Sequence, residues 1–146
     1  AAGFTLDKTN LKNFENFMLE DFSNADVSKN RSFTYDAEVS SLALNMDFYT
    51  EIKKLEPFGT GNPLPTFLLK DLKIIKTKII DNKHISLILK SKIGFSIKSI
   101  SFNTVNSKIG EHLLNYKNNL NVLGQINENI WNNKKTLQLT IKDIIL

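Results

Sequence analysis

Two short stretches of the sequence set lysine beside groups that can stack on a base or hydrogen-bond to its edge. One is Lys83-His84. The other runs through Asn129, Trp131, Asn132, Lys134 and Lys135. Unpaired nucleic acid demands that mixture: cations track the phosphates, and an aromatic face stacks a base for roughly 1–3 kcal/mol. Lys76, Lys78, Lys90, Lys98 and Gln138 fall on segments that alternate polar with apolar residues, so they extend the same basic surface. Each feature also has an ordinary structural reading. Trp131 suits barrel packing, His84 a strand surface, and Lys134-Lys135 a solvated turn. Signals for catalysis are missing from the sequence. His112 has no partner at metal-ligand spacing, and nothing places Asp36, Glu38 and Asp47 around a metal. Without a glycine-rich nucleotide loop or a nucleophile elbow, the chain reads as a binder with no catalytic and no metal-ligating residues.

Composition narrows the class further. The 146 residues are 41% apolar and 23% charged, ordinary for a globular chain of one domain, or of one small domain plus part of another. With no cysteine, a disulfide scaffold, a Cys-ligated zinc site and a thiol nucleophile are excluded. No apolar run approaches the roughly 20 residues of a membrane span. The first six residues, AAGFTL, do not form a signal peptide and read as a chain cut within a domain. Lysine, asparagine and isoleucine are what an AT-rich coding sequence supplies, so lysine abundance alone identifies no ligand. Its placement says more: residues 1–62 carry net charge −4 and residues 63–146 carry +8. That change of sign suggests two units, the second facing an anion.

The elements that must position these residues differ between the halves. In the first, Asp7 or Thr9 can cap a helix with Leu11, Phe14, Met18 and Phe22 on one apolar face and Phe17 beside it, ended by Ser23-Asn24-Ala25-Asp26. Residues 32–39 read as a strand, with Phe33, Tyr35, Ala37 and Val39 on one face. Asn45 or Asp47 starts a short helix carrying Phe48, Ile52 and Leu55, which stops before Pro57. All three prolines then fall within residues 57–65, with Gly59 and Gly61 between them. This predicts a rigid turn in which glycine permits positive φ.

The second half is strand-rich. Strands are expected over 67–80, 84–90, 95–102, from Leu120 to Ile126, and from Leu137 to Ile141. A turn is expected at Asp81-Asn82-Lys83 and a short helix within 107–117, weakened by Gly110. Three strands, a helix-bearing connection and two strands match the OB-fold, a five-stranded Greek-key barrel; an SH3-like barrel or a plain five-stranded sheet stays open. The expected architecture is mainly β: an OB-fold barrel preceded by a truncated α/β fragment. An OB-fold binds across its second and third strands, between the loops joining strands one–two and four–five. Those loops are read here as 81–84 and 127–135.

The run from Leu55 to Phe67, LEPFGTGNPLPTF, with Pro57, Phe58, Gly59, Gly61, Asn62 and Pro63 at its centre, closely resembles a signature of the RecJ family. These are bacterial single-stranded-DNA-specific exonucleases of the DHH phosphoesterase superfamily. Ala1-Ala2-Gly3-Phe4-Thr5, Tyr35-Asp36-Ala37-Glu38 and Lys83-His84-Ile85-Ser86-Leu87 resemble further family motifs in order. So do Asn129-Ile130-Trp131-Asn132, Leu137-Gln138-Leu139 and Lys142-Asp143-Ile144. Ser86 stands where the family usually has a second basic residue, and Asn133 where it has glycine. The resemblance implies that residues 1–56 end a DHH-associated domain, 57–66 form a junction and 67–146 form the OB-fold. It implies single-stranded DNA as partner, a DNA repair and recombination role, and a bacterial cytoplasmic, nucleoid-associated location without membrane contact. A repair helicase or single-strand-binding protein is a further partner it allows. The family's Mn- or Mg-dependent 5′-to-3′ hydrolysis uses ligands upstream of residue 1, so this stretch is expected to hold no cofactor and to be inactive alone. A protein-docking module and an inactive DHH-family relative are the alternatives. An exposed apolar patch is expected in the first half, where covering strands are missing.

Overall fold

A computed structural model describes residues 3–24, 33–131 and 133–146, without side chains at 22–24 and 131. The chain divides into two compact units, Ala1–Phe33 and Thr34–Leu146. In the first, the Asp7 carboxylate accepts from the Thr9 amide (2.9 Å) and hydroxyl (2.6 Å), capping a turn of 3₁₀ helix at Lys8–Asn10. Those two bonds hold its carboxyl below the usual aspartate range. Helix α1, Leu11–Asn24, follows directly. Phe14 and Met18 are half-buried, and the Phe14 ring meets Phe4 edge-on at 5.0 Å. Leu11, Phe17 and Leu19 are exposed, Leu19 to 70%. The expected helix end at Ala25-Asp26 and the start of the 32–39 strand lie outside the described residues, as do the side chain of Phe22 and all of Ala1 and Ala2.

The second unit is a closed barrel with a short strand and two α-helices beside it. Strands β2 (Phe67–Ile80), β3 (His84–Ser91), β4 (Ser96–Ser101), β5 (Leu120–Trp131) and β6 (Lys134–Ile145) follow β1 (Ala37–Glu38). The sheet order is β1-β2-β3-β4-β6-β5, and β5 pairs back onto β2 to close five strands. This is the expected Greek-key OB arrangement, with β4 and β6 parallel and the other barrel pairs antiparallel. The 14-residue β2 can serve two partners because it bends: its first part pairs with β5 and the remainder with β3, with register shifts between Leu69 and Leu72 and between Ile74 and Lys76. Ile85, Leu87 and Leu89 alternate inward on β3 against Leu72, Ile97, Val122, Ile126 and Leu139, all in one core.

Residues 34–66 share that core. Val39, Leu44 and Ile52 are buried in it, and Phe48 of helix α2 (Met46–Lys53, capped by Asn45) packs on Phe67 at 5.6 Å. The structure therefore parts at Phe33/Thr34, not across the proline-rich run. The strand expected over 32–39 shortens to Ala37–Glu38, pairing in parallel with Phe67 and Leu68. Before it, Asp36 acts as a clamp: its amide donates to the Thr66 carbonyl and its carboxylate accepts from the Thr66 amide, both at 2.8 Å.

The 57–65 run is a shaped turn, but its glycines are not in the left-handed region. Gly59 and Asn62 exchange two backbone hydrogen bonds, and the Asn62 amide nitrogen donates to the carbonyls of Leu55 (2.7 Å) and Pro57 (3.1 Å). Phe58 and Leu64 thereby rest against the core. Helix α3 (Lys108–Asn115, capped by Ser107) forms in spite of Gly110, and needs it: a Cβ there would lie 1.8 Å from the Thr104 carbonyl oxygen.

Candidate nucleic-acid interface

Register places the sequence-derived candidates in rows across the outer face of the barrel. Directly opposed residues on neighbouring strands share a face, and the inward set on β3 and β4 is Ile85, Leu87, Leu89, Ile97, Ser99 and Ser101. The outward set is therefore the other parity. One row reads Lys76 on β2, Ile88 on β3, Lys98 on β4 and Gln138 on β6. The next reads Lys78, Ser86, Ile100 and Thr140. On the other side of the first row, Lys73, Lys90 and Ser96 form a third.

A cleft of about 500 Å³ opens over the first two rows, lined by Lys76, Lys78, Ile88, Lys98, Asn129 and Gln138 among others. Its chemistry is mixed. Three ammonium groups can meet phosphates, two carboxamides can donate to and accept from base edges, and Ile80 and Ile88 supply an apolar floor. Among the described residues Lys73, Lys76, Lys78, Lys83, Lys90 and Lys98 form no ion pair. Lys70 instead pairs with Glu38, Lys92 with Asp71 (3.3 Å) and Lys135 with Glu128 (3.2 Å). The cleft's positive charge is thus uncompensated by neighbouring carboxylates. The exposed lysine paired with Glu38 is held above the usual lysine range by that hydrogen bond.

Five candidates stand outside the cleft lining, Lys134 at the start of β6 among them. Lys90 lies one row beyond the cleft, opposite Lys73, a lysine that carries no periodic signal because a bulge follows it. Lys83 sits in the β2–β3 turn, where Asp81 and Asn82 both take positive φ, as short polar side chains tolerate. His84 is tethered: its Nδ1 accepts from the Asn103 amide at 2.9 Å and its ring meets Phe102 edge-on at 5.2 Å. Lys135 has the other parity and lies outside that cleft, lining a hollow with Met46, Tyr49 and Glu128.

The loop expected over 127–135 is mostly strand. β5 runs to Trp131 and β6 starts at Lys134, with Trp131 and Lys134 paired and Asn133 at φ 58° in the tip. Asn129 consequently projects from a strand, opposite Thr136. Asn132 and the Trp131 side chain lie outside the described residues.

Among the described residues no group of three His, Cys, Asp or Glu side chains could hold a metal ion. Asp36 and Glu38 are engaged by Thr66 and Lys70, and His84 by Asn103. The described residues gather no ligand set for a divalent metal. No helix among them is long and apolar enough to cross a membrane.

A Greek-key barrel with an uncompensated basic cleft over its second and third strands is an OB-type binding domain. Residues 35–143 match the family model of the RecJ OB domain, and the chain belongs to that family. No curated protein matches it. RecJ from Thermus thermophilus in complex with Mg²⁺ superposes with a TM-score of 0.68 at 22% identity, covering 97% of this chain and 21% of that one. The Mn²⁺ complex of RecJ from the same organism gives 0.68 at 20% identity, covering 99% and 20%. The chain therefore spans about a fifth of the RecJ structures it matches. The mitochondrial single-stranded DNA binding protein Rim1 from S. cerevisiae aligns at a TM-score of 0.43 and 15% identity, over 55% of this chain and 89% of that one.

Proposed function

We propose that this barrel holds single-stranded DNA across β3 and β4 for a RecJ-like 5′-to-3′ exonuclease. The observation that carries the reading is the convergence of unpaired Lys76, Lys78 and Lys98 with Asn129 and Gln138 on one cleft. Phosphates would run along the lysines, while the carboxamides and apolar floor receive the bases. A duplex has its base edges paired and its bases stacked inside, so those groups would be left without partners, and affinity for it falls.

The parent activity would be Mn- or Mg-dependent hydrolysis in bacterial DNA repair and recombination. Its metal ligands would come from residues outside the barrel. The barrel's part would be affinity and strand selectivity.

A fluorescence titration of the 146-residue chain with oligo-dT and with a duplex of equal length, at two salt concentrations, tests the reading. Preference for oligo-dT and a steep loss of affinity with salt are expected, since neutralised phosphates release counterions. Equal affinity for duplex, or no salt slope, would sink it.

A further inference from the structure

We propose that Phe102 is a base-stacking platform at one end of this cleft, with His84 as the residue that positions it. The inference rests on the single-strand reading of the cleft and adds an aromatic site to it. Phe102 directly follows β4 and is 51% exposed, although an aromatic ring of that size is usually taken into a core. It does not float free. His84 begins β3 opposite Ile80, and Ile80 lines the cleft beside Lys78 and Ser86. The His84 and Phe102 rings meet at 5.2 Å and 77°, so the edge of one ring is used and a face remains for another partner.

The imidazole is itself fixed. Its Nδ1 accepts from the Asn103 amide, which places the ring proton on Nε2, and Asn103 holds a positive φ of 56° to present that amide. Three successive features, the left-handed Asn103, the bonded imidazole and the edge contact, thus orient one exposed ring at the end of a lysine-lined cleft. An unpaired nucleobase has the flat, polarisable surface such a ring accepts, and its phosphates would lie within reach of Lys78 and Lys83.

The test compares the 146-residue chain with Phe102→Leu and Phe102→Trp, binding oligo-dT and an abasic oligonucleotide of equal length at one salt concentration. Phe102→Leu should weaken oligo-dT binding about five-fold or more, the lower end of what removing a stacking ring costs. It should leave abasic binding unchanged, and Phe102→Trp should restore oligo-dT affinity. Oligo-dT affinity unchanged in Phe102→Leu overturns the platform, as does equal loss for both oligonucleotides with unchanged thermal unfolding. A wild-type chain that binds neither oligonucleotide overturns the reading of the cleft as a whole, an outcome distinct from either.

Discussion

Lys98 on β4 stands directly opposite Gln138 on β6, in the parallel pairing that joins the two halves of the barrel. One charge and one carboxamide are thereby held side by side by backbone hydrogen bonds, not by flexible loops. If Lys98 neutralises one phosphate, Lys98→Ala should flatten the slope of log K against log salt by about 0.7, the single-strand value per contact. Titrations of oligo-dT across a salt series measure it. An unchanged slope would remove Lys98 from the phosphate path.

Lys135 provides the contrast. It does not line the cleft and pairs with Glu128, whose side chain is only 16% exposed. Lys135→Ala should change oligo-dT affinity less than about two-fold and leave the salt slope alone. Its cost should appear in stability, about 1 kcal/mol, because a half-buried carboxylate loses its partner. Parallel binding and urea-unfolding measurements separate the two effects.

Gly110 of α3 and the Thr104 carbonyl leave no room between them for a side chain. Gly110→Ala would drive a methyl into that carbonyl, and α3 would have to shift away from the loop before it. Glycine normally lowers helix stability relative to alanine, so propensity favours the substitution. Sterics oppose it more strongly, and the expected result is a loss of about 3 kcal/mol. Urea unfolding decides the sign.

Asn62 makes the proline-rich turn specific. Its amide nitrogen closes the turn onto two carbonyls, of Leu55 and Pro57. Asn62→Ala should cost about 1 kcal/mol, and Asn62→Asp more, because a carboxylate would face two acceptors. Denaturant midpoints for the two variants, compared at equal m-value, give the ordering.

Much of the barrel was legible because its inner face alternates. Ile85, Leu87 and Leu89 announce β3, and a Leu/Ile-dense stretch with interleaved lysines announces β2. The ends of β5 and β6 were not legible. Asn127, Asn129, Lys134 and Lys135 carry loop-like composition, because polar residues outnumber the apolar Ile130 and Trp131 near that hairpin's tip. The unit boundary was misplaced for a different reason. Prolines and a charge reversal mark residues 57–65, whereas Val39, Leu44 and Ile52 join the barrel core through contacts distant in sequence. A two-residue parallel pairing such as Ala37–Glu38 on β2 leaves no periodicity to read. Within the cleft, outward lysines could be assigned from strand parity alone. Phe102 could not, because its position depends on a ring contact with His84 across a turn.

Inside the barrel, the hydroxyls of Ser91 and Ser101 are buried with no hydrogen-bond partner among the described residues. Ser101 is fully buried opposite Ile85, in a core made mostly of Leu, Ile and Val. A desolvated hydroxyl without a partner opposes folding, and alanine fills nearly the same space without it. Ser101→Ala should therefore stabilise the chain by about 1 kcal/mol, which for a domain of this size raises Tm by roughly 4 °C. Binding of oligo-dT should not change, since the hydroxyl lies on the inner face, away from Lys98 and Ile100. A lower Tm would mean that the hydroxyl is satisfied in solution.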